Sequence, residues 1–211
     1  MTLLLHVGSK HISSWSLRPY MALAHTGEAF EVRTIKLDHD KTRAAIAKVT
    51  PTGRVPVLEH DGLTISDSLA ICEYVAELFP AARLWPTDRS KRARARSICA
   101  EMHSGFLALR RDMPMDLCID HSGEGHTTDA LADVSRVSQI WHDAIDDSGG
   151  PFLFGTFTIA DAMFTPVTTR FTTYDVPMDD VCRRYVAAVQ TTAGFQRWLS
   201  EANTELADPT K

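Results

Sequence analysis

The stretch "ISSWSLRPYMAL", residues 12–23, offers the first side chains with chemistry to do: hydroxyls at Ser13, Ser14 and Ser16. Ser13 and Ser16 are three apart, the spacing at which thiol redox proteins hold the sulfurs of a Cys-x-x-Cys turn, yet no cysteine stands here. An apolar run, "LLLHV", precedes the turn and a helical pattern follows it. Proline is tolerated in a first helical turn, so Pro19 sets the helix start only a few residues earlier. Ser13 and Ser14 then fall at or just ahead of that start, where free N–H groups and the positive dipole end favour an anion. As an N-cap, such a serine adds about 1 kcal/mol to the helix. As a functional group, it donates to a thiolate and lowers the thiol's pKa. The sulfur would have to come from a ligand, since dithiol exchange has no nucleophile in this turn.

Two further places carry polar chemistry. In "GRVPVLEHDG", Val55-Pro56 opens a strand with a proline, where the missing N–H is tolerable. Either an ordinary edge proline or a cis bond presenting Val55 to an extended peptide fits. In "ISDSLAICEYVAE", Ser66 or Asp67 can cap a helix, and Ser68 lies in its first turn, a suitable receiver for a carboxylate. Capping alone also accounts for these residues. The cysteines Cys72, Cys99, Cys118 and Cys182 are far apart and read as small buried apolar residues. The histidines show no metal spacing, and His121 and His126 in "HSGEGH" read as a solvated loop, so no metal is expected.

The elements that must hold these residues are legible from periodicity. The 211 residues, 44% hydrophobic and 23% charged, suit a soluble chain of one large or two modest domains. A net charge of −5 without long runs gives no reason to expect nucleic acid or a membrane partner, and no apolar stretch approaches a membrane span. "MTLLLHVGSK" lacks a basic leader and reads as a strand, with the cytoplasm as the default location. Strand and helix signals alternate over the first 80 residues: strands in "TLLLHVG" and "FEVRTIKL", a hairpin through Asp61-Gly62, and helices in "SLRPYMALAHTG", "KTRAAIAKV" and "DSLAICEYVAELF". After Pro86 helical patterns dominate. "DRSKRARARSICAEMHSGFLALRRDM" reads as one long helix, followed by helices near 129–146, 158–172 and 178–203. Thr158 and Asp161 form a capping box, which concerns folding. The expected organisation is an α/β domain over 1–80, a linker over 81–87 and an all-α domain over 88–211.

The serine turn, Val-Pro and Asp-Ser occur in the order and at the spacing of a thioredoxin-like unit, and the whole chain resembles the glutathione transferase superfamily. "RLWP" matches its linker and "GTFTIADAMFTP" its second-domain Gly-x-x-x-Thr-x-Ala-Asp motif. "SSWSLRPYMAL" is similar to the serine motif of the zeta class, which includes maleylacetoacetate isomerases. It departs from that class at Trp15, where cysteine is usual, and at Leu17, where tryptophan is usual.

The resemblance implies glutathione as co-substrate, lying along the α/β domain. The main chain of Val55, before a cis Pro56, would pair with its cysteinyl part. Asp67 and Ser68 would hold its γ-glutamyl end, and Lys41 or Arg54 its glycyl carboxylate. Ser13, or else Ser14, would face the thiol, with Trp15 lining its pocket. A small electrophilic or hydrophobic substrate would enter between the domains, against the helix near 102–113 and its residues His103, Phe106 and Arg110. The implied reaction is attack of a glutathione thiolate on that electrophile by a homodimeric transferase. The alternatives are a glutathione-dependent cis–trans isomerase, a glutathione-dependent reductase and a non-catalytic glutathione binder.

Overall fold

A computed structural model describes residues 3–37 and 41–207. The expected strand residue Thr2 and the last four residues of the chain lie outside these. The α/β part runs β1 (Leu3–Gly8), α1 (Ser14–Thr26), β2 (Glu31–Ile35), α2 (Thr42–Ala47), β3 (Val57–His60), β4 (Leu63–Ser66) and α3 (Ser68–Leu78). Its sheet has the order β2-β1-β3-β4, with β1 parallel to β2 and antiparallel to β3, and β3 antiparallel to β4. This is the thioredoxin-like arrangement. Asp61 and Gly62 both take positive φ, 48° and 82°, which lets a two-residue turn match the twist of β3 and β4. Gly27, at φ 75°, ends α1 in the left-handed conformation that glycine reaches without steric cost.

The helical part comprises α4 (Arg89–Ser104), α5 (Leu107–Asp112), α6 (Thr128–Ser148), α7 (Ile159–Thr173), α8 (Asp180–Gln190) and α9 (Ala193–Ala207). Two expected helices are each split. The one expected over 88–113 breaks at Gly105, whose N–H closes on the Glu101 carbonyl, and at Phe106, which adopts φ 58°. The glycine was the available stop signal. The one expected over 178–203 breaks at Thr191 and Thr192, where α9 turns to pack on α1. A side chain at Gly194 would lie 2.9 Å from the Ala24 Cβ, so glycine is what permits that close approach.

Between the two parts, a single 3-10 turn at Pro80–Ala82 leads into a segment tied to both sides. Trp85 donates its indole N–H to Glu73 on α3, while the Leu84 carbonyl accepts from Ile159 at the start of α7. The division is one of topology rather than of cores. One buried cluster runs from Leu5 and Leu23 through Ile71, Cys99 and Trp141 to Phe171 and Trp198, with α1 packed against both α3 and α7. The capping box forms as expected: Asp161 accepts from the N–H groups of Leu153 and Thr158, and from the Thr158 hydroxyl. Cys72, Cys99 and Cys182 are buried, whereas Cys118 is only half-buried and donates to Asn203 on α9. Among the described residues, no helix is long and apolar enough to cross a membrane.

Candidate active site

The serine turn is fixed from three directions. Ser9 Oγ accepts the Leu37 N–H, and Ser9's carbonyl accepts from Ser13 N. Lys10 is tied to α9, with Glu205 taking both its N–H at 2.8 Å and its ammonium at 2.6 Å, while Trp198 donates to its carbonyl. Ser13 occupies the N-cap position of α1, yet its hydroxyl makes no capping hydrogen bond. It donates instead to Ser16 Oγ at 2.8 Å, and Ser16 also accepts the Gly8 N–H at 3.0 Å. Ser16 is fully buried. The capping role that sequence offers for Ser13 is thus absent, and the two hydroxyls three apart form a stacked pair. A side chain at Gly8 would come within 2.8 Å of Ser13 Oγ, so the strand end must be glycine for the pair to fit.

Beside this turn lies a cavity of about 760 Å³. Val55, Pro56, Asp67, Ser68, Arg54 and Trp15 line it, with Leu37, Ile46 and Ser66 among the remainder. The Val55–Pro56 peptide is cis. Asp67, not Ser66, caps α3: at φ 84° its carboxylate accepts from Leu69 and Ala70 N–H. Ser68 Oγ is buried on this wall with no hydrogen-bond partner. An unpaired buried hydroxyl costs free energy unless something completes it. Lys41 begins α2 and is not among the residues lining this cavity.

His103 belongs to the same cavity rather than to the far side of the cleft. Its Nε2 lies 3.0 Å from Asp67 Oδ2, and its ring meets Trp15 edge-on at 5.2 Å. That placement corrects its expected position against the electrophile. Phe106 also differs from expectation. It is buried in the core at the α4–α5 break and lines neither cavity, because its left-handed backbone turns the ring inward from the helix path.

A second cavity of about 590 Å³ opens on the other side of Trp15, which lines both, with Ser14, Arg110, Arg170 and Tyr174 in its wall. Arg110 donates to the carbonyls of Gly105 and Met102, leaves one terminal nitrogen without a partner, and rests 4.7 Å from the Trp15 ring. Arg170 is fully buried and donates to the Met113 and Pro166 carbonyls; burial pushes its pKa down to about 9. Arg18, behind them on α1, is the extreme case. It has no exposed surface, lies 4.3 Å from the Trp15 ring, and has no hydrogen-bond partner for any of its three nitrogens. Burial, then the charges of Arg110 and Arg170, lower its pKa. The wall also holds three carboxylates: Asp112 pairs with Arg111, Glu124 with His121, and Asp116 lies near His121 and accepts the Cys118 N–H. His121 is therefore half-buried in a cavity wall and stacked on Tyr174, not in a free loop, and His126 reaches the Tyr174 carbonyl. The arginine group is the feature sequence reasoning missed. Only Arg110 was legible, from its spacing on a helix; Arg18 and Arg170 sit inside apolar patterns on α1 and α7.

The arrangement thus offers a hydroxyl turn at a helix start, a polar cradle beside it, and across Trp15 a second cavity whose wall holds Arg110 and Arg170 together with Asp112, Asp116 and Glu124. Residues 12–78 match the family model described as the glutathione S-transferase N-terminal domain. The chain is 37% identical over 97 residues to the probable maleylacetoacetate isomerase of Caenorhabditis elegans, covering 46% of this chain and 45% of that one. It is 40% identical over 101 residues to the maleylacetoacetate isomerase of Rattus norvegicus, covering 46% and 47%. These alignments span about half the length of the curated relatives. Among solved structures, a glutathione transferase homologue from Burkholderia gl BGR1 with bound glutathione superposes with a TM-score of 0.76 at 28% identity, over 97% of this chain and 100% of that one. A maleylacetoacetate isomerase from Anaeromyxobacter dehalogenans with glutathione in its active site gives 0.66 at 27%, over 93% and 95%.

Proposed function

We propose that this chain is a member of the glutathione transferase superfamily close to its zeta class, binds glutathione in the 760 Å³ cavity and activates the thiol for attack on a small electrophile. The observation that carries this reading is Ser68: a buried hydroxyl with no partner, beside the capped start of α3 and across from cis Val55–Pro56. Such a wall suits a γ-glutamyl carboxylate, which would accept from the Ser68 hydroxyl at the start of α3, while the Leu69 and Ala70 N–H groups stay on Asp67. Asp67 would face the γ-glutamyl ammonium and Val55 the cysteinyl backbone. Arg54, which lines the cavity, is the better-placed cation for the glycyl carboxylate, with Lys41 the more distant choice.

The sulfur would then sit at the α1 start, within reach of Ser13 or Ser14. We favour Ser13 as its donor. In the resting protein the Ser13 hydroxyl donates to Ser16 Oγ. When a thiolate arrives, Ser13 can turn its proton to sulfur while Ser16 donates back to Ser13, so neither hydroxyl is left unbonded. The N–H groups of the first α1 turn and its dipole add to the stabilisation. The thiolate then attacks the electrophilic carbon held across Trp15. A second reading, glutathione-assisted cis–trans isomerisation of an anionic substrate, is favoured by Arg110 and Arg170 in the wall of the second cavity. There the thiolate adds to the double bond, rotation follows, and the thiolate leaves again unchanged.

Calorimetry with glutathione, followed by turnover against electrophiles and a cis-alkene diacid, tests both. Thiol consumption marks transfer; a trans product with thiol conserved marks isomerisation. Failure to bind glutathione overturns the proposal, and binding without turnover of any substrate reduces the protein to a binder.

A further inference from the structure

Away from both cavities, at the junction of α6 and α8, His142, Asp179 and Cys182 converge with one possible ligand atom from each within 4.8 Å of the others. We propose that these three residues form a binding site for a zinc-class transition-metal ion, with water completing a four-coordinate shell. None of the residues lining the two cavities belongs to α6 or α8, so this site is separate from the glutathione chemistry.

The donor set carries the argument. Imidazole, carboxylate and thiolate are the three ligand types that zinc combines, and three protein ligands plus water is the pattern of an open zinc site. The elements holding them are rigid. His142 follows Trp141, whose ring packs at 4.8 Å on Tyr185 of α8, fixing the two helices to each other. Asp179 caps α8 by accepting the Cys182 N–H at 2.9 Å through one oxygen. Its second oxygen lies 2.6 Å from His142 Nε2, a close imidazole–carboxylate contact that already brings two of the three donors together and that a bound ion would replace.

Distances bound the adjustment required. With metal–ligand bonds of about 2.0–2.3 Å, tetrahedral edges are about 3.3–3.7 Å. The His142–Asp179 pair must open by roughly 0.7–1.1 Å, and the widest pair in the cluster must close by at most about 1.1–1.5 Å. Both are within side-chain rotation, since Asp179 and His142 are partly exposed. Burial pushes the Cys182 thiol up to about 11, so it is protonated until the metal arrives. Binding then forms a sulfur–metal bond, and one proton leaves the sulfur for the buffer.

Chelator-treated full-length protein titrated with Co²⁺, then with Zn²⁺, tests the site. One equivalent of Co²⁺ should give a sulfur-to-cobalt charge-transfer band and intense tetrahedral ligand-field bands, which Zn²⁺ abolishes with a rise in Tm. Cys182→Ser should remove the charge-transfer band. Because Cys182 is buried and its variant may fold poorly, His142→Asn, on the exposed side, supplies a second arm and should weaken binding at least tenfold. Cys118→Ser, which alters the one half-buried thiol, should leave the spectrum intact. Absence of a one-equivalent band, or a band lost in Cys118→Ser and retained in His142→Asn, would overturn the assignment.

Discussion

Replacing Ser13 by alanine removes the hydroxyl proposed as the thiolate's donor, and hydrogen-bond energetics set the size of the expected effect. In the resting protein Ser13 donates to Ser16 at 2.8 Å. Turning that proton to sulfur does not forfeit a hydrogen bond, because Ser16 can donate back, so the charged bond keeps its full value. A hydrogen bond to a charged group contributes about 1.5–3 kcal/mol. At 1.36 kcal/mol per unit, the pKa of bound glutathione should rise by about 1–2 units in Ser13→Ala. At neutral pH, turnover limited by thiolate should fall roughly 10- to 100-fold while glutathione affinity changes little. Thiolate absorbance of the complex, titrated against pH, measures this directly. Ser16→Ala should move the same curve by less than one unit, since it removes only the backing donor, but should also destabilise the fold by leaving the Gly8 N–H without its acceptor. An unchanged curve in Ser13→Ala refutes the reasoning. A displaced curve in Ser14→Ala instead would assign the role to the neighbour that lines the second cavity.

Three other substitutions separate function from folding. Ser68→Ala should weaken glutathione binding roughly 10- to 150-fold by calorimetry, the loss of a bond to a carboxylate, with no loss of stability because its hydroxyl has no protein partner. Arg18→Met should raise the urea midpoint, by about 1–4 kcal/mol in stability, since it replaces a buried unpaired charge with an apolar side chain of similar length; a lowered midpoint would show that the guanidinium is satisfied in solution. Asp161→Ala should cost about 2–5 kcal/mol by leaving the Leu153 and Thr158 N–H groups buried and unpaired, and a midpoint shift equivalent to under about 1 kcal/mol would contradict the buried capping box.

The fold was legible because its signals are local. Alternation marks β2, Asp61-Gly62 marks the hairpin, and Gly27 and Pro80 mark helix ends, each a short-range steric or hydrogen-bonding consequence. Helix breaks at Phe106 and at Thr191 were missed because apolar periodicity continues across them; only Gly105 and Gly194 mark the turns. The cradle residues Val55, Asp67 and Ser68 were legible as a motif and meet in one cavity. What sequence could not show is depth. Arg18 reads as one more polar residue on an amphipathic helix, yet α3, α4 and α7 close over it. His103 reads as a cleft residue, and only the packing of α4 against the start of α3 turns it toward Asp67. His142 and Cys182 are forty positions apart, and no spacing rule joins them.

Arg18 also bears on how much a single serine can matter. It lies five residues after Ser13 on α1, about 8 Å along the axis at 1.5 Å per residue. Arginine stays protonated in proteins, so its charge is present at neutral pH. Trp15, against whose ring both Arg18 and Arg110 lie, keeps this charge from direct contact with ligand while the low-dielectric core transmits its field. On the proposed mechanism the thiolate would draw on both the Ser13 hydroxyl and the buried Arg18 charge, so the alanine variant at position 13 is expected to retain measurable turnover, its loss showing as a displaced titration rather than as an on–off switch; complete loss of turnover would refute the contribution of Arg18.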